Sequence, residues 1–513
     1  MDQQRRADNR CPHPPRLRPV MLDKLGCVLN LQSRRAFVGG LTASCIAAAV
    51  PSNDWVELFD GKTPNGWRAS EHQSSWTVRN GALTADGPRS HLFYVGPQHR
   101  ADFRNFELET EVLARNGCNS GVYFHTRYQE SGFPEKGFEV QVNNTALGDN
   151  GYRERKKTGS LYGLRNIYKQ LIPDNQWFKI AISVRGKNVQ VRLNGMLVVD
   201  YVEPIPPIIP EGGERERFLD HGTFALQCHN EGSVAFYRRV RVRPLPDDLP
   251  TPAGEVSPVV DKTYRDIINV GRHNVPMVDF DVHLGGSLNV EQALRKSRRD
   301  GISYGLLLKL DSNADAASAE KWLASMSNQP VFFGLQPTVR KWTRLLTRST
   351  VASFDYVLAD STSWTEAQGR RDNVANPQEF MEGLTESIVK LFDHEPIDIY
   401  GTPTYLPAQI AADYDNLWTE ERTTKVVSAA ARNQVAIELN NQFRLPSATF
   451  VRAAKRAGCK FSFGSNNQAG VSPGRCEYGL QILSDCKLEW QDFWTPGPAT
   501  PRAVDRRADL FRS

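Results

Sequence analysis

Three short segments set polar side chains at every second position. Glu139, Gln141 and Asn143 alternate with Phe138, Val140 and Val142; Tyr123 and His125 alternate with Val122 and Phe124; Gln227 and His229 alternate with Leu226 and Cys228. Side chains of an extended strand point alternately to opposite faces, so each polar set is expected to share one face. For any single residue a solvated outer face is the alternative reading. The residue types favour chemistry: carboxylate, amide, imidazole and phenol groups hydrogen-bond to hydroxyls, as sugar-binding faces require. Glu107, Glu109 and Glu111 could imitate the carboxylates of glycoside-cleaving strands. Three like charges at i, i+2 and i+4 repel, however, and no counter-charge lies beside them in sequence. They are expected on a solvated edge.

The elements that must position these residues change rhythm half-way. From Trp55 to about Arg243 short alternating segments are broken by Gly, Asn and Pro, and Asn194-Gly195 sits between two of them as a hairpin turn. A β-sandwich or jelly roll follows from that pattern. Pro244, Pro246, Pro250, Pro252 and Pro258 then mark a stiff linker over 245–260 between two self-contained units. Beyond it, apolar strands alternate with helices: Val278–Val282, a helix from Asn289 to Gly301, and strands at Ile302–Leu310, Val331–Leu335, Phe354–Ala359 and Ile397–Tyr400. A helix at Thr419–Arg432 leads to Val435–Leu439, and one at Ser447–Ala457 leads to Lys460–Gly464. Many βα units predict a parallel sheet closed, or nearly closed, into a barrel over 261–494. The polar stretch 495–513 is expected to be a loose tail.

Charge is confined to one end. The chain has 513 residues, 63 basic and 58 acidic; residues 1–50 hold eight basic and three acidic side chains, so 51–513 is net neutral. A neutral body excludes a nucleic-acid-binding surface and suits an uncharged sugar better than a phosphorylated substrate. Ser33-Arg34-Arg35-Ala36-Phe37-Val38 opens fifteen uncharged residues ending in Val50. As a helix these rise about 22 Å, short of the ~30 Å of a bilayer core, so no stable membrane span is expected. The pattern reads as a twin-arginine-type signal peptide over 1–50, with Met21 as a plausible start, and so predicts a periplasmic or extracellular protein. Cys45 lacks the preceding Leu of a lipidation site. Of eight cysteines, Cys118, Cys228, Cys459, Cys476 and Cys486 lie beyond the leader; they read as buried small hydrophobes with one optional disulfide.

Leu58-Phe59-Asp60-Gly61-Lys62-Thr63 with Gly66-Trp67, Asn119-Ser120-Gly121-Val122-Tyr123-Phe124, Gly137-Phe138-Glu139-Val140-Gln141, Gly159-Ser160-Leu161-Tyr162-Gly163 and Leu193-Asn194-Gly195 occur in that order. Over 54–244 the chain resembles the 3-keto-disaccharide hydrolase domain family, which implies a concanavalin-like sandwich acting on or binding sugars. A ketone at C3 of a hexose acidifies the C2 proton, so one base can start elimination of the glycosidic oxygen from C1. On that implication Glu139 is the base with His125 and His229 as catalytic partners. Gln141, Tyr123, Tyr162, Gln227 and Asn119 would bind substrate. His125 stands where many relatives have Arg.

Asp279-Phe280-Asp281-Val282-His283, Asp398-Ile399-Tyr400-Gly401-Thr402-Pro403 and Phe463-Gly464-Ser465-Asn466-Asn467 resemble strand-end motifs of the PHP-type metal-dependent phosphoesterases. Asp281, Thr402, Asn466 and Gln468 replace ligands expected there, three of them with neutral groups that bind hard divalent ions poorly. The resemblance implies a PHP-like barrel whose pocket is either emptied or repurposed, or holds one divalent ion (Mn, Zn or Fe) on Asp281, His283 and Glu438. The leading expectation is an exported hydrolase of 3-keto-glycosides with an accessory barrel. The alternatives are a non-catalytic sugar-binding sandwich on a degenerate barrel, and a metal-dependent phosphoesterase targeted by its sandwich. The sugar, its linkage and the oligomeric state are not encoded legibly.

Overall fold

The computed structural model describes residues 55–145, 152–210, 215–286, 288–311, 316–326, 329–339, 341–364, 374–468, 471–497 and 500–511. The signal peptide read at 1–50 lies outside the described residues. Two antiparallel sheets form the first half. One runs in the order Met196–Val202, Asn188–Leu193, Trp177–Arg185, Asn105–Ala114, Ala235–Leu245, Ala82–Ala85, Trp76–Arg79, with Val56–Glu57 also pairing Ala235–Leu245. The other runs Trp67–Ala69, Ser90–Tyr94, Thr223–Cys228, Asn119–Thr126, Phe138–Asn143. Leu108, Val112, Ile180 and Val242 of the first sheet and Leu92, Val122, Phe124, Val140 and Leu226 of the second share one apolar core. The alternation therefore does what it predicted: one face of each sheet packs inward, making a sandwich. Asn194 and Gly195 take positive φ (48° and 88°) between the strands Asn188–Leu193 and Met196–Val202, as a tight hairpin turn demands.

The three glutamates of strand Asn105–Ala114 are not on a solvated edge. That strand lies inside the larger sheet, and the cross-strand register sets Glu107, Glu109 and Glu111 opposite Arg243, Arg241 and Arg238. Arg241 reaches Glu109 at 2.6 Å and Arg238 reaches Glu111 at 2.6 Å, while Lys179 bonds Glu109 at 3.0 Å from the other side. The counter-charges come from strands about 70 and 130 residues later in the chain, which one strand's sequence cannot show.

In the second half seven parallel strands, Val278–His283, Ser303–Leu310, Phe332–Pro337, Tyr356–Asp360, Ile399–Gly401, Ala436–Asn440 and Phe461–Gly464, close into a barrel. Helices start where side-chain caps were readable. Asn289 accepts from Gln292 N–H before Val290–Arg299, Thr419 from Arg422 N–H before Glu420–Arg432, and Ser447 from Phe450 N–H before Ala448–Arg456.

Two expectations fail. The halves are not self-contained: Asn53–Ser513 packs as one compact unit. The sandwich segment 153–169 docks on the barrel, with Arg155 Nη1 donating to Thr495 Oγ1 (2.7 Å), Tyr168 O–H to the Val275 carbonyl (3.2 Å) and Lys169 Nζ to Asp355 (2.7 Å). Arg299 also pairs with Asp200 at 3.1 Å. The neutral charge of each half hid a seam of complementary single charges. Nor is the tail loose. Val504 and Phe511 are buried, Ala503 N–H donates to Asp398 at 2.7 Å, and Arg502 Nη1 donates to the carbonyls of Ala352 and Phe354 at 2.7 Å. The five cysteines beyond the leader are buried and unpaired, so the optional disulfide is not formed among the described residues. No helix among the described residues is long and apolar enough to cross a membrane.

Candidate functional site

The outward face of the five-stranded sheet carries the cleft. Val122, Phe124, Val140 and Leu226 face the core, so the residues between them face away. Register aligns Tyr123 with Glu139 and with Ala225, Gly121 with Gln141, and His91 with Gln227. The resulting cavity is about 240 Å³, lined by Asn119, Tyr123, Phe133, Pro134, Glu139, Gln141, Tyr152, Glu154, Tyr162, Arg217, Gln227, His229 and Arg272. Seven of the eight sandwich residues singled out from sequence thus meet in one cleft: Glu139, His229, Gln141, Tyr123, Tyr162, Gln227 and Asn119.

Glu139 is only 6% exposed. Tyr123 hydrogen-bonds to its carboxylate, and burial followed by that carboxylate's charge pushes the phenol well above its usual range. Gln227 Nε2 donates to Tyr123 Oη at 2.9 Å, making a relay from amide to phenol to carboxylate. Gln141 Nε2 donates to Asn119 Oδ1 at 2.9 Å. Space for the carboxylate is provided by Gly121, where an added Cβ would stand 2.3 Å from Glu139 Oε1.

His125 is the exception. Its strand carries one extra residue against Thr223–Cys228: Thr126 pairs Thr223 while Tyr123 pairs Ala225. His125 takes φ +54° at that bulge. The bulge breaks the period of two and turns the imidazole into the sandwich core, against Phe106 and Phe124 at ring-centroid distances of 5.7 and 5.4 Å. There Nε2–H donates to the Arg104 carbonyl (2.8 Å) and Nδ1 accepts the Asp220 N–H (3.3 Å). Its expected catalytic place is therefore corrected to a structural one. Burial lowers the imidazole to about 4 from an ordinary 6.5. The fold holds it neutral, so its stabilising contribution is complete above pH 6.5 and is lost as pH falls toward 4, about 3 kcal/mol in all. His125→Gln keeps a donor and an acceptor but cannot titrate. Its unfolding midpoint is expected to fall less steeply than the wild type's between pH 6.5 and 4, as measured by denaturant titration at several pH values.

Sequence reasoning missed Glu154, Lys156, Arg217, Tyr152 and Arg272. Glu154 accepts from Lys156 Nζ (3.1 Å), from Tyr152 O–H (3.1 Å) and from Tyr162 O–H (3.2 Å). Both members of the Glu154–Lys156 pair are buried. Burial works to raise the Glu154 carboxyl, but the Lys156 charge and its hydrogen bonds outweigh burial and hold it below the ordinary range. Asn143 Nδ2 pins the segment by donating to the carbonyls of Glu154 (2.9 Å) and Lys156 (2.8 Å). Arg217 is buried, and its Nη1 donates to the Tyr162 carbonyl at 2.9 Å. The run Tyr152-Arg153-Glu154-Arg155-Lys156-Lys157 reads as a solvated charge cluster. Only its alternation, with Glu154 and Lys156 on one side, signals an inward pair.

In the barrel, Asp281, His283 and Glu438 are brought together. His283 Nε2 lies 2.9 Å from Asp281 Oδ1, and His283 Nε2, both Asp281 carboxylate oxygens and Glu438 Oε1 are buried without a hydrogen-bond partner among the described residues. Burial, then neighbouring negative charge, pushes both carboxyls well above their usual range, and burial lowers His283 to about 4. Glu438 Oε2 already accepts from Thr402 N–H (2.6 Å) and Asn440 Nδ2 (2.9 Å), and Asp279 is taken up by the amides of Ser465 and Gly474, each at 2.8 Å. Among the described residues no group of three or more His, Cys, Asp or Glu could hold a metal ion.

Residues 54–243 match the 3-keto-alpha-glucoside-1,2-lyase-like domain family. The matched segment contains every sandwich residue lining the cleft, and of the lining residues Arg272 alone comes from outside it. The 3-keto-disaccharide hydrolase of Bacteroides thetaiotaomicron is 33% identical over 87 residues, which are 15% of this chain and 28% of that protein. The chain thus spans little more than a quarter of the curated relative it matches. Among solved structures, one from Parabacteroides distasonis, provisionally assigned as a glycosyl hydrolase, is 20% identical over 37% of this chain and 94% of its own, with a TM-score of 0.32. A carbohydrate-binding module from Bacillus subtilis is 15% identical over 34% and 93%, with a TM-score of 0.23. The histidinol phosphate phosphatase of Lactococcus lactis is 12% identical over 45% and 98%, with a TM-score of 0.31. The first half is thus similar to a domain family of carbohydrate-active, hydrolase-like proteins.

Proposed function

We propose that the cleft binds 3-keto-glycosides and cleaves their glycosidic bond by elimination and hydration. The observation that carries this is the Glu139 carboxylate, buried at the cleft floor, hydrogen-bonded by Tyr123 and given room by Gly121. In the first step Glu139 takes the C2 proton, the C2–H electron pair becomes the C1=C2 double bond, and the C1–O bond breaks with its pair going to the leaving oxygen, which is protonated. Water then adds to the enone, oxygen at C1 and hydrogen at C2, so the sum is hydrolysis. Developing negative charge on the C3 oxygen would be met by the Arg217 guanidinium and by phenol donors of the cleft. His229 lies on the same rim, with Nδ1 at 2.9 Å from Asn230 Oδ1.

The barrel serves this reading as an accessory that helps shape the cleft through Arg272. Export through the twin-arginine-type leader, to periplasm or exterior, belongs to the same proposal and rests on Arg34-Arg35 and the uncharged run after them. The direct test incubates the whole chain with a 3-keto-disaccharide and with its unoxidised parent. Release of monosaccharide from the keto compound alone is expected; tight binding of both with no release would favour a non-catalytic sugar-binding sandwich.

Gly121→Ala tests the site's geometry. The new methyl would force Glu139 from its position, and displacing a catalytic group by about 1 Å can cost about 100-fold. A fall in kcat of that order is expected, with a thermal midpoint close to the wild type's; a steady-state assay beside a melting curve separates the two effects.

A further inference from the structure

One polar side chain on the cleft face has no role in the site as described. His91 lies on strand Ser90–Tyr94 directly opposite Gln227, which places it on the face that bears Tyr123 and Glu139. It is 0% exposed, and neither ring nitrogen has a hydrogen-bond partner among the described residues. Buried polar groups are ordinarily satisfied, so two orphaned nitrogens on one ring call for a physical reason. Three aromatic rings pack on His91, those of Tyr123, Phe93 and Phe133, and of these it is Phe133 that faces solvent. That ring lies 5.7 Å from the His91 ring and 5.4 Å from the His229 ring, yet is itself 41% exposed. An apolar ring half in water, covering two imidazoles, is an easily displaced cover. Its loop is fastened beside the ring: Gly132 N–H donates to Glu71 Oε1 (3.0 Å), and Gln129 Nε2 donates to the Phe133 carbonyl (2.9 Å). The side chain can therefore swing without the loop unfolding.

We propose that the space beneath Phe133, floored by His91 and flanked by His229, is a second sugar subsite of the same cleft, which the second ring of a neutral disaccharide opens by displacing the Phe133 side chain. This rests on reading the cleft as a sugar site. A neutral imidazole offers one donor and one acceptor, the pair that neighbouring sugar hydroxyls require. His91 is kept neutral by burial, which lowers it to about 3; Glu71 opposes that shift, while His229 and Arg89 add to it.

The test compares kcat/KM for a 3-keto-disaccharide with that for the methyl 3-keto-glucoside, which lacks the second ring. His91→Phe keeps an aromatic ring but removes both hydrogen-bonding nitrogens, and is expected to lower the disaccharide-to-methyl ratio by about tenfold. Phe133→Ala removes the cover and is expected to raise the ratio, chiefly through a lower KM for the disaccharide. If either variant moves both substrates equally, the subsite is overturned. A second readout does not depend on turnover: in the whole chain labelled at histidine, an unoxidised disaccharide is expected to shift the His91 ring signal and glucose is not. If Glu139→Gln leaves cleavage intact while the disaccharide still moves His91, the elimination mechanism fails and the subsite stands. If Glu139→Gln abolishes cleavage while His91 ignores the disaccharide, the subsite fails and the mechanism stands.

Discussion

Glu139→Gln is expected to lower kcat for a 3-keto-disaccharide by about 10²–10⁴-fold, the usual contribution of a positioned general base, and to leave KM within a few-fold. The substitution is nearly isosteric. Tyr123 can still donate its O–H to the amide oxygen, and Gly121 still leaves the space in front of it. Only proton acceptance is lost. Circular dichroism and melting of the variant are therefore expected to match the wild type, and the loss is expected in single-turnover rates as well as at steady state. A variant that cleaves at the wild-type rate would move the base to another group, and His229 is the next candidate by position.

Lys156→Met is expected to be the most destabilising single change in the cleft, by about 3–5 kcal/mol, because it strands a buried carboxylate. The thioether side chain replaces the stem of the lysine but not its charge, and Glu154 then keeps only its neutral donors and the Lys156 backbone N–H, which bonds it at 3.0 Å. The pH dependence identifies the cause. In the wild type the Glu154 carboxyl is held below its ordinary value of 4.5, so its contribution is complete above pH 4.5 and is lost as pH falls further. With Lys156 gone, burial raises it instead, and protonation then relieves the variant at low pH. The gap in unfolding midpoint between variant and wild type is expected to be widest near pH 7, to narrow as pH falls through the variant's raised value, and to narrow further below 4.5, in denaturant titrations across that range. A gap that does not change with pH would mean that lost packing, not the charge, explains it.

Much of this site was legible in the chain before folding. Period-two alternation correctly put Tyr123 on the outward side of one strand and Glu139 with Gln141 on that of its neighbour, because those strands run regularly through these residues. It failed at His125, two residues beyond Tyr123, where one bulge reverses the face; nothing local in Phe124-His125-Thr126 announces it. The positive φ values at Gly137 and Gly222, whose added Cβ atoms would meet the His125 backbone at 2.7 Å, show what packs against the bulge, but only once the strands are assembled. Glu154 and Lys156 were obscured for a different reason: a buried ion pair and a solvated charge run have the same composition, and the difference is made by Asn143 gripping the carbonyls of both residues.

The barrel was easier to locate than to interpret. Its strands fell within a residue or two of the apolar runs, because capping residues such as Asn289, Thr419 and Ser447 mark the helices between them. What the barrel does to the sandwich was not legible, since both halves are electrically neutral. The structure brings them together through Asn274, whose Oδ1 accepts the Arg155 N–H (2.8 Å) and whose Nδ2 donates to the Arg153 carbonyl (2.6 Å). Two residues earlier, Arg272 lines the cleft. The second half thus holds both flanks of Glu154 and lends the cleft a side chain, which is why cutting the chain at the proline-rich segment is a poor way to study either part.

In the proposed mechanism cleavage starts with removal of the C2 proton by a group in this cleft. That step is tested most directly by timing the cleavage of a 3-keto-disaccharide carrying deuterium at C2 against its protium form, on the whole chain. A clear primary isotope effect on kcat/KM, disappearing together with turnover in Glu139→Gln, is the expected result. Equal rates for the two isotopologues under conditions where bond cleavage limits turnover, with Glu139→Gln still active, would contradict it.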